Sequence, residues 1–220
     1  MCGRYSLAVP ADVVAELFGL LEVPDLSPRW NVAPTQDALV VRTTDAGRAG
    51  ALLRWGLVPA WAKDASIGNR MINARSETVA EKPSFRSALR RRRCLVPADG
   101  FYEWRKTADG KVPTRIRRRD GRPFAFAGLW ERWTRGEGAP LETFTILTTL
   151  PNHLLRPIHD RMPVILAEDD WDAWLAPGER PAEALLPLLG PCPDGDLEAF
   201  AVSPRVNSPR HDDPACAEPV

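Results

Sequence analysis

Residues 10–20 carry apolar side chains at helical spacing, with Val13, Val14, Leu17 and Phe18 sharing one face and Pro10 at the first turn. Downstream the period shortens to two. Runs rich in β-branched and aromatic residues at 38–43, 51–57, 94–98, 100–104, 114–118, 124–129 and 144–149 predict strands. Turn chemistry separates them, as at Asp45-Ala46-Gly47, Ala108-Asp109-Gly110 and Asp120-Gly121. Further strands are predicted at 163–166 and 197–202, and helices at 84–91, 168–176 and 182–189. The pattern predicts one α+β domain over residues 1–205, with a mainly antiparallel, barrel-like sheet core and peripheral helices. Beyond Ser203, prolines and polar residues predict a fraying tail, with 206–220 outside the domain.

The 220 residues suffice for a real core, and no long apolar stretch or basic-plus-apolar leader interrupts them. A soluble, cytoplasmic, non-membrane protein is expected, and a monomer. Cys2, Cys94, Cys192 and Cys216 are far apart and form no Cys-x-x-Cys pair, so neither a metal site nor a disulfide framework is expected. No cofactor motif occurs. The net charge of zero hides an asymmetry: residues 1–167 hold 26 of the 29 basic side chains, and 168–220 hold 12 of the 29 acidic ones. Arginine supplies 25 of the basic residues, and its planar fork suits phosphate. This favours a nucleic-acid partner only weakly, since arginine also follows base composition.

The candidate chemistry begins at Cys2. Once Met1 is removed, this residue presents an α-amine and a thiol on adjacent carbons. The amine titrates near ~7.7–8.0 and the thiol near ~8.5, so both are reactive around neutral pH. Such a pair can condense with an aldehyde to a Schiff base and then close a thiazolidine ring. The plain alternative is a small residue after the initiator. Within Ala98-Asp99-Gly100-Phe101-Tyr102-Glu103-Trp104, strand alternation sets Phe101 and Glu103 on one face and Tyr102 and Trp104 on the other. A carboxyl among aromatic neighbours rises in pKa and suits acid catalysis, whereas an edge-strand glutamate would simply be solvated. His159, beside Asp160 and Arg161, can shuttle protons or serve a structural role.

Six ordered motifs then point to a family. Met1-Cys2-Gly3-Arg4-Tyr5, Asn31-Val32-Ala33-Pro34, Trp55-Gly56-Leu57-Val58-Pro59, Asn73-Ala74-Arg75-Ser76-Glu77, the stretch 94–104 and Ile158-His159-Asp160-Arg161-Met162-Pro163 resemble the SOS-response-associated peptidase family. The resemblance covers about residues 2–202. It implies binding of single-stranded DNA containing abasic sites and a thiazolidine crosslink between Cys2 and the ring-opened abasic sugar. It also implies Asn73, Glu103 and His159 as further catalytic residues. Arg4, Arg75 and Arg161 would contact phosphates, Trp61 would stack on a base, and Thr148 would touch the site. The family often has two adjacent bulky residues at the stacking position, where this chain has Trp61-Ala62. Two other functions stay open: a cysteine peptidase or N-terminal-nucleophile hydrolase acting on Met1 or other amides, and a non-catalytic single-strand binding module.

Overall fold

Period-two burial across the middle of the chain closes a barrel. The computed structural model describes residues 2–220 apart from Val23 and Glu137. Met1, whose removal the Cys2 chemistry requires, therefore lies outside the described residues. In chain order the elements are β1 (Tyr5–Leu7), α1 (Ala11–Phe18), β2 (Arg29–Val32), β3 (Asp37–Thr44), β4 (Gly47–Trp55), β5 (Asn73–Arg75), α2 (Arg86–Arg91), β6 (Arg93–Ala98) and β7 (Gly100–Thr107). They continue with β8 (Gly110–Arg118), β9 (Phe124–Trp133), β10 (Leu141–Thr149), β11 (Met162–Pro163), β12 (Ile165–Leu166), α3 (Trp171–Leu175), α4 (Ala182–Leu185) and β13 (Leu197–Ala201).

β4, β3, β6 and β9 pair antiparallel in that order, and β9 pairs antiparallel with β10. A parallel pairing of β10 with β4 closes the ring of five strands. One face of the barrel strands carries Val40, Leu53, Trp55, Val96, Phe126, Phe144 and Ile146, all essentially unexposed. The other face packs Leu39, Val41, Leu95, Ala127 and Leu129 beneath the helices. A barrel of five strands is too narrow to enclose a helix, so the first set is the interior. A second, five-stranded sheet in the order β13-β8-β7-β1-β2 adds Cys2, Tyr5, Phe101 and Ile116 to that interior cluster. The architecture is therefore an α+β single domain built on a closed five-stranded, barrel-like sheet.

Several expected boundaries shift for local reasons. The first helix stops at Gly19, whose φ of 62° turns the chain left-handed, and Val13 is exposed while Val14 and Phe18 are buried. Phe18 stacks on Trp171 with ring centroids 4.6 Å apart. The expected helix at 168–176 is a 3₁₀ turn followed by α3, and that at 182–189 passes into a 3₁₀ turn where Pro187 supplies no N–H. The strand expected at 163–166 divides between two partners, with β11 on β10 and β12 on β9. Strands β1, β2 and β5, of three or four residues, are too short to show a period.

The expected fraying tail is corrected by the structure. Val206 and Cys216 are fully buried, and Val202 bridges Pro219. Asn31 Nδ2 donates to the carbonyls of Val206, Ser208 and His211 at 3.2, 3.0 and 2.6 Å, and Arg29 pairs with Asp212. Asp212 also accepts from the Trp30 and Asn31 amides at 2.6 and 2.9 Å. Polar composition concealed a segment held by hydrogen bonds to β2.

Candidate active site

The backbone of Cys2 enters the molecule beside β5. Asn73, the first residue of that strand, donates from Nδ2 to the Cys2 carbonyl at 2.8 Å. β5 lies parallel to β10 with Asn73 opposite Ile146 and Arg75 opposite Thr148, so the barrel wall sets the position of the asparagine. Cys2 itself is unexposed, and its Sγ approaches the Arg4 carbonyl at 3.9 Å. Burial pushes the thiol pKa up, and the nearby Glu103 carboxylate pushes it further. A neutral thiol is thus the resident form.

Glu103 comes from β7, the neighbour of β1, and is 3% exposed. The expected alternation holds: Phe101 joins Cys2 in the interior cluster, while Tyr102 and Trp104 pack with Val206 and Cys216. Glu103 is therefore no solvated edge residue. Loss of water raises its carboxyl pKa to about 7, and the Asp160 carboxylate adds to the rise. Its Oε2 lies 3.9 Å from His159 Nε2. The imidazole is half-buried, which lowers its pKa and favours the neutral ring. His159 Nδ1 accepts from the Arg161 amide at 3.0 Å and stands 2.9 Å from the Asp160 carboxylate. The set comprises a sulfur nucleophile, a carboxyl that titrates near neutrality and an imidazole beside it. Such groups can exchange protons with a carbonyl compound bound between them.

The five expected DNA contacts divide. Arg75 is exposed on β5 next to Asn73, and Trp61 is half exposed. Trp61 lines a groove of about 320 Å³ together with Pro83 and Arg135. Arg161 is engaged within the protein, where it grips Glu77 through both nitrogens at 2.6 and 2.9 Å and donates to the Thr148 carbonyl at 2.7 Å. Thr148 is fully buried and braces this contact. Arg4 donates to Asn31 Oδ1 at 2.7 Å and the Val206 carbonyl at 2.6 Å, lying over Trp104. Its guanidinium holds the C-terminal segment against β2.

Sequence reasoning gave no role to Asp99, Ser6 or Arg115, which form a buried network under the site. Asp99 accepts from the Ala8 amide at 2.6 Å and from Arg115 at 3.0 Å, and Ser6 also donates to it. Gly100 leaves room for this network, since a Cβ there would meet the Arg115 guanidinium at 2.7 Å. Lys106, Lys111 and Arg156, which line the cleft beyond Glu103 and His159, were also missed. Only the Lys106–Lys111 pairing across a predicted turn at 108–110 could have signalled the first two.

The family model of the SOS response associated peptidase (SRAP) matches residues 1–209, which include Cys2, Asn73, Glu103 and His159. The chain belongs to this family. It is 46% identical over 222 residues to the abasic site processing protein YoqW of Bacillus subtilis, covering 99% of both chains. It is 29% identical to the abasic site processing protein HMCES of Rattus norvegicus, covering all of this chain and 76% of that one. Among solved structures, a protein from Bacteroides thetaiotaomicron matches over the full length of both chains with a TM-score of 0.89 and 29% identity.

Proposed function

We propose that this protein processes abasic sites in single-stranded DNA by forming a covalent crosslink through Cys2, after Met1 has been removed. The carrying observation is the Cys2–Asn73–Glu103–His159 constellation, in which an N-terminal cysteine is fixed by its carbonyl beside a carboxyl with a pKa near 7. The relatives' names support abasic sites as the target.

The reaction follows from the site's proton inventory. An abasic deoxyribose is mainly a closed hemiacetal. Opening it moves a proton from the C1 hydroxyl to the ring oxygen: Glu103 in its protonated form gives its proton to the ring oxygen, takes up the hydroxyl proton and is protonated again, with His159 Nε2 lying 3.9 Å from that carboxyl. The Cys2 amine adds to the aldehyde carbon, and the resulting carbinolamine loses water with a proton from Glu103. The thiol then adds to the imine carbon. Its S–H proton passes to the nitrogen, and the thiazolidine closes with no oxidant or reductant consumed. Burial that keeps the thiol protonated places amine attack first and sulfur attack second. Arg75, exposed beside Asn73, is the side chain best disposed to hold a phosphate of the strand.

The test is a single-stranded oligonucleotide carrying one abasic site, incubated with mature protein and run on a denaturing gel. A heat-stable shifted band is expected from wild type and none from Cys2→Ala, while Cys2→Ser retains a Schiff base that borohydride traps. Full-strength adduct from Cys2→Ala would overturn the mechanism. Cleavage of an amide without adduct would favour the peptidase, and retention of DNA with no adduct would favour a simple binding module.

A further inference from the structure

Past Glu103 and His159 a cleft of about 540 Å³ opens between the β7–β8 hairpin and residues 156–160. That is the size of a site for a small ligand or a nucleotide. Its walls are cationic: Lys106 and Lys111 come from the hairpin, and Arg156 from the facing loop. Lys106 and Lys111 stand directly opposite each other on the paired strands, although the chain has only four lysines. Like charges in that position repel, a cost that a bound anion would remove.

Elsewhere in the molecule arginines are matched with acids, as in Arg92–Glu131, Arg115–Asp99, Arg117–Glu198 and Arg205–Asp213. Lys106, Lys111 and Arg156 make no ion pair among the described residues. The acid at the rim, Asp160, is directed to His159 Nδ1. The cleft and the reacting groups also share one field, since His159, held neutral chiefly by burial, is further opposed in its protonation by Lys106.

We propose that this cleft is a phosphate subsite, in which Lys106, Lys111 and Arg156 hold the backbone phosphate next to the nucleotide that reacts at Cys2. The assignment rests on the abasic-site reading and adds a second anchor to the one proposed at Arg75, which does not line the cleft. Two point charges and one planar fork suit a phosphodiester, and the cleft's direct access to Glu103 leaves the neighbouring sugar at the reacting groups.

The test compares wild type with Lys106→Ala/Lys111→Ala and with Arg156→Ala for binding to an intact single-stranded oligonucleotide across a salt series. Two lost contacts at ~0.7 each make the log–log salt slope of the double variant shallower by about 1.4, with an affinity loss of roughly 5- to 20-fold at low salt. Lys106→Arg/Lys111→Arg should restore both. Unchanged affinity and slope would overturn the subsite, as would an affinity loss that leaves the slope unchanged. A second arm uses oligonucleotides that end at the abasic nucleotide on one side or the other. One truncation should abolish the difference between wild type and double variant; a difference that survives both would overturn the assignment to the neighbouring phosphate. If wild type itself neither binds nor crosslinks, the abasic-site reading falls. If wild type crosslinks while the variants bind like it, only the cleft assignment falls.

Discussion

Asp99 and Glu103 lie four residues apart in one stretch of sequence, and each carboxylate is nearly out of water, at 9% and 3% exposure. Asp99 is surrounded by donors: the Ala8 amide, the Ser6 hydroxyl and the Arg115 guanidinium. Glu103 lies near the His159 imidazole and the Cys2 thiol, and burial, above all, pushes its carboxyl up to about 7. Similar burial thus accompanies a carboxyl that links β1 to β8 in one case and a carboxyl whose pKa is raised in the other.

The largest effect expected from this contrast is on stability. Asp99→Ala would leave Arg115 as an uncompensated buried charge, costing about 3–5 kcal/mol in urea unfolding. The molecules that remain folded should still crosslink, and a stability within error of wild type would show that the network is not structural. Glu103→Gln should act in the opposite direction. The folded-state pKa of Glu103 lies above its unfolded value, so folding favours its protonated form. The resulting penalty is absent below the unfolded pKa near ~4.3, grows as pH rises and is complete above about 7. Glu103→Gln is therefore expected to gain up to about 3 kcal/mol at pH 8, and the gain should shrink as the pH falls towards 5. Unfolding curves at both pH values check the sign.

The arginines offer a smaller version of the same contrast. Arg161, paired with Glu77 and bonded to the Thr148 carbonyl, should cost about 1–2 kcal/mol of stability when replaced by alanine, less than a fully buried pair because Glu77 is 43% exposed. Arg75→Ala should leave stability within about 0.5 kcal/mol, yet weaken single-strand binding and flatten the salt slope by about 0.7. Equal salt slopes for the two variants would erase the distinction between bracing and binding arginines.

The sequence showed the barrel strands because their interior and helix-facing positions alternate over five residues or more, as in Phe124–Leu129. It did not show β1, β2 and β5, since three or four residues carry no period, yet these position Cys2 and Asn73. Glu103 and His159 were legible as titratable groups in apolar or punctuated surroundings. Their 3.9 Å approach, across a sequence separation of 56, was not. The partners of Arg4 and Arg161 within the protein were not legible, because a guanidinium has the same chemistry whether it faces a phosphate, a carboxylate or a carbonyl. Composition likewise suggested a loose C-terminus, because the acceptors that Asn31 binds are backbone carbonyls and appear in no side-chain pattern.

The claim that Glu103 carries protons for chemistry at Cys2 is tested most directly by single-turnover crosslinking with saturating protein, comparing wild type with Glu103→Gln from about pH 5.5 to 8.5. A positioned acid/base typically contributes ~10²–10⁴-fold. Glu103→Gln should therefore be slower by at least ~10-fold and lose the inflection near pH 7, while binding intact single strands as wild type does. A wild-type rate with an unchanged pH profile would contradict the account and leave Cys2 to react without the glutamate.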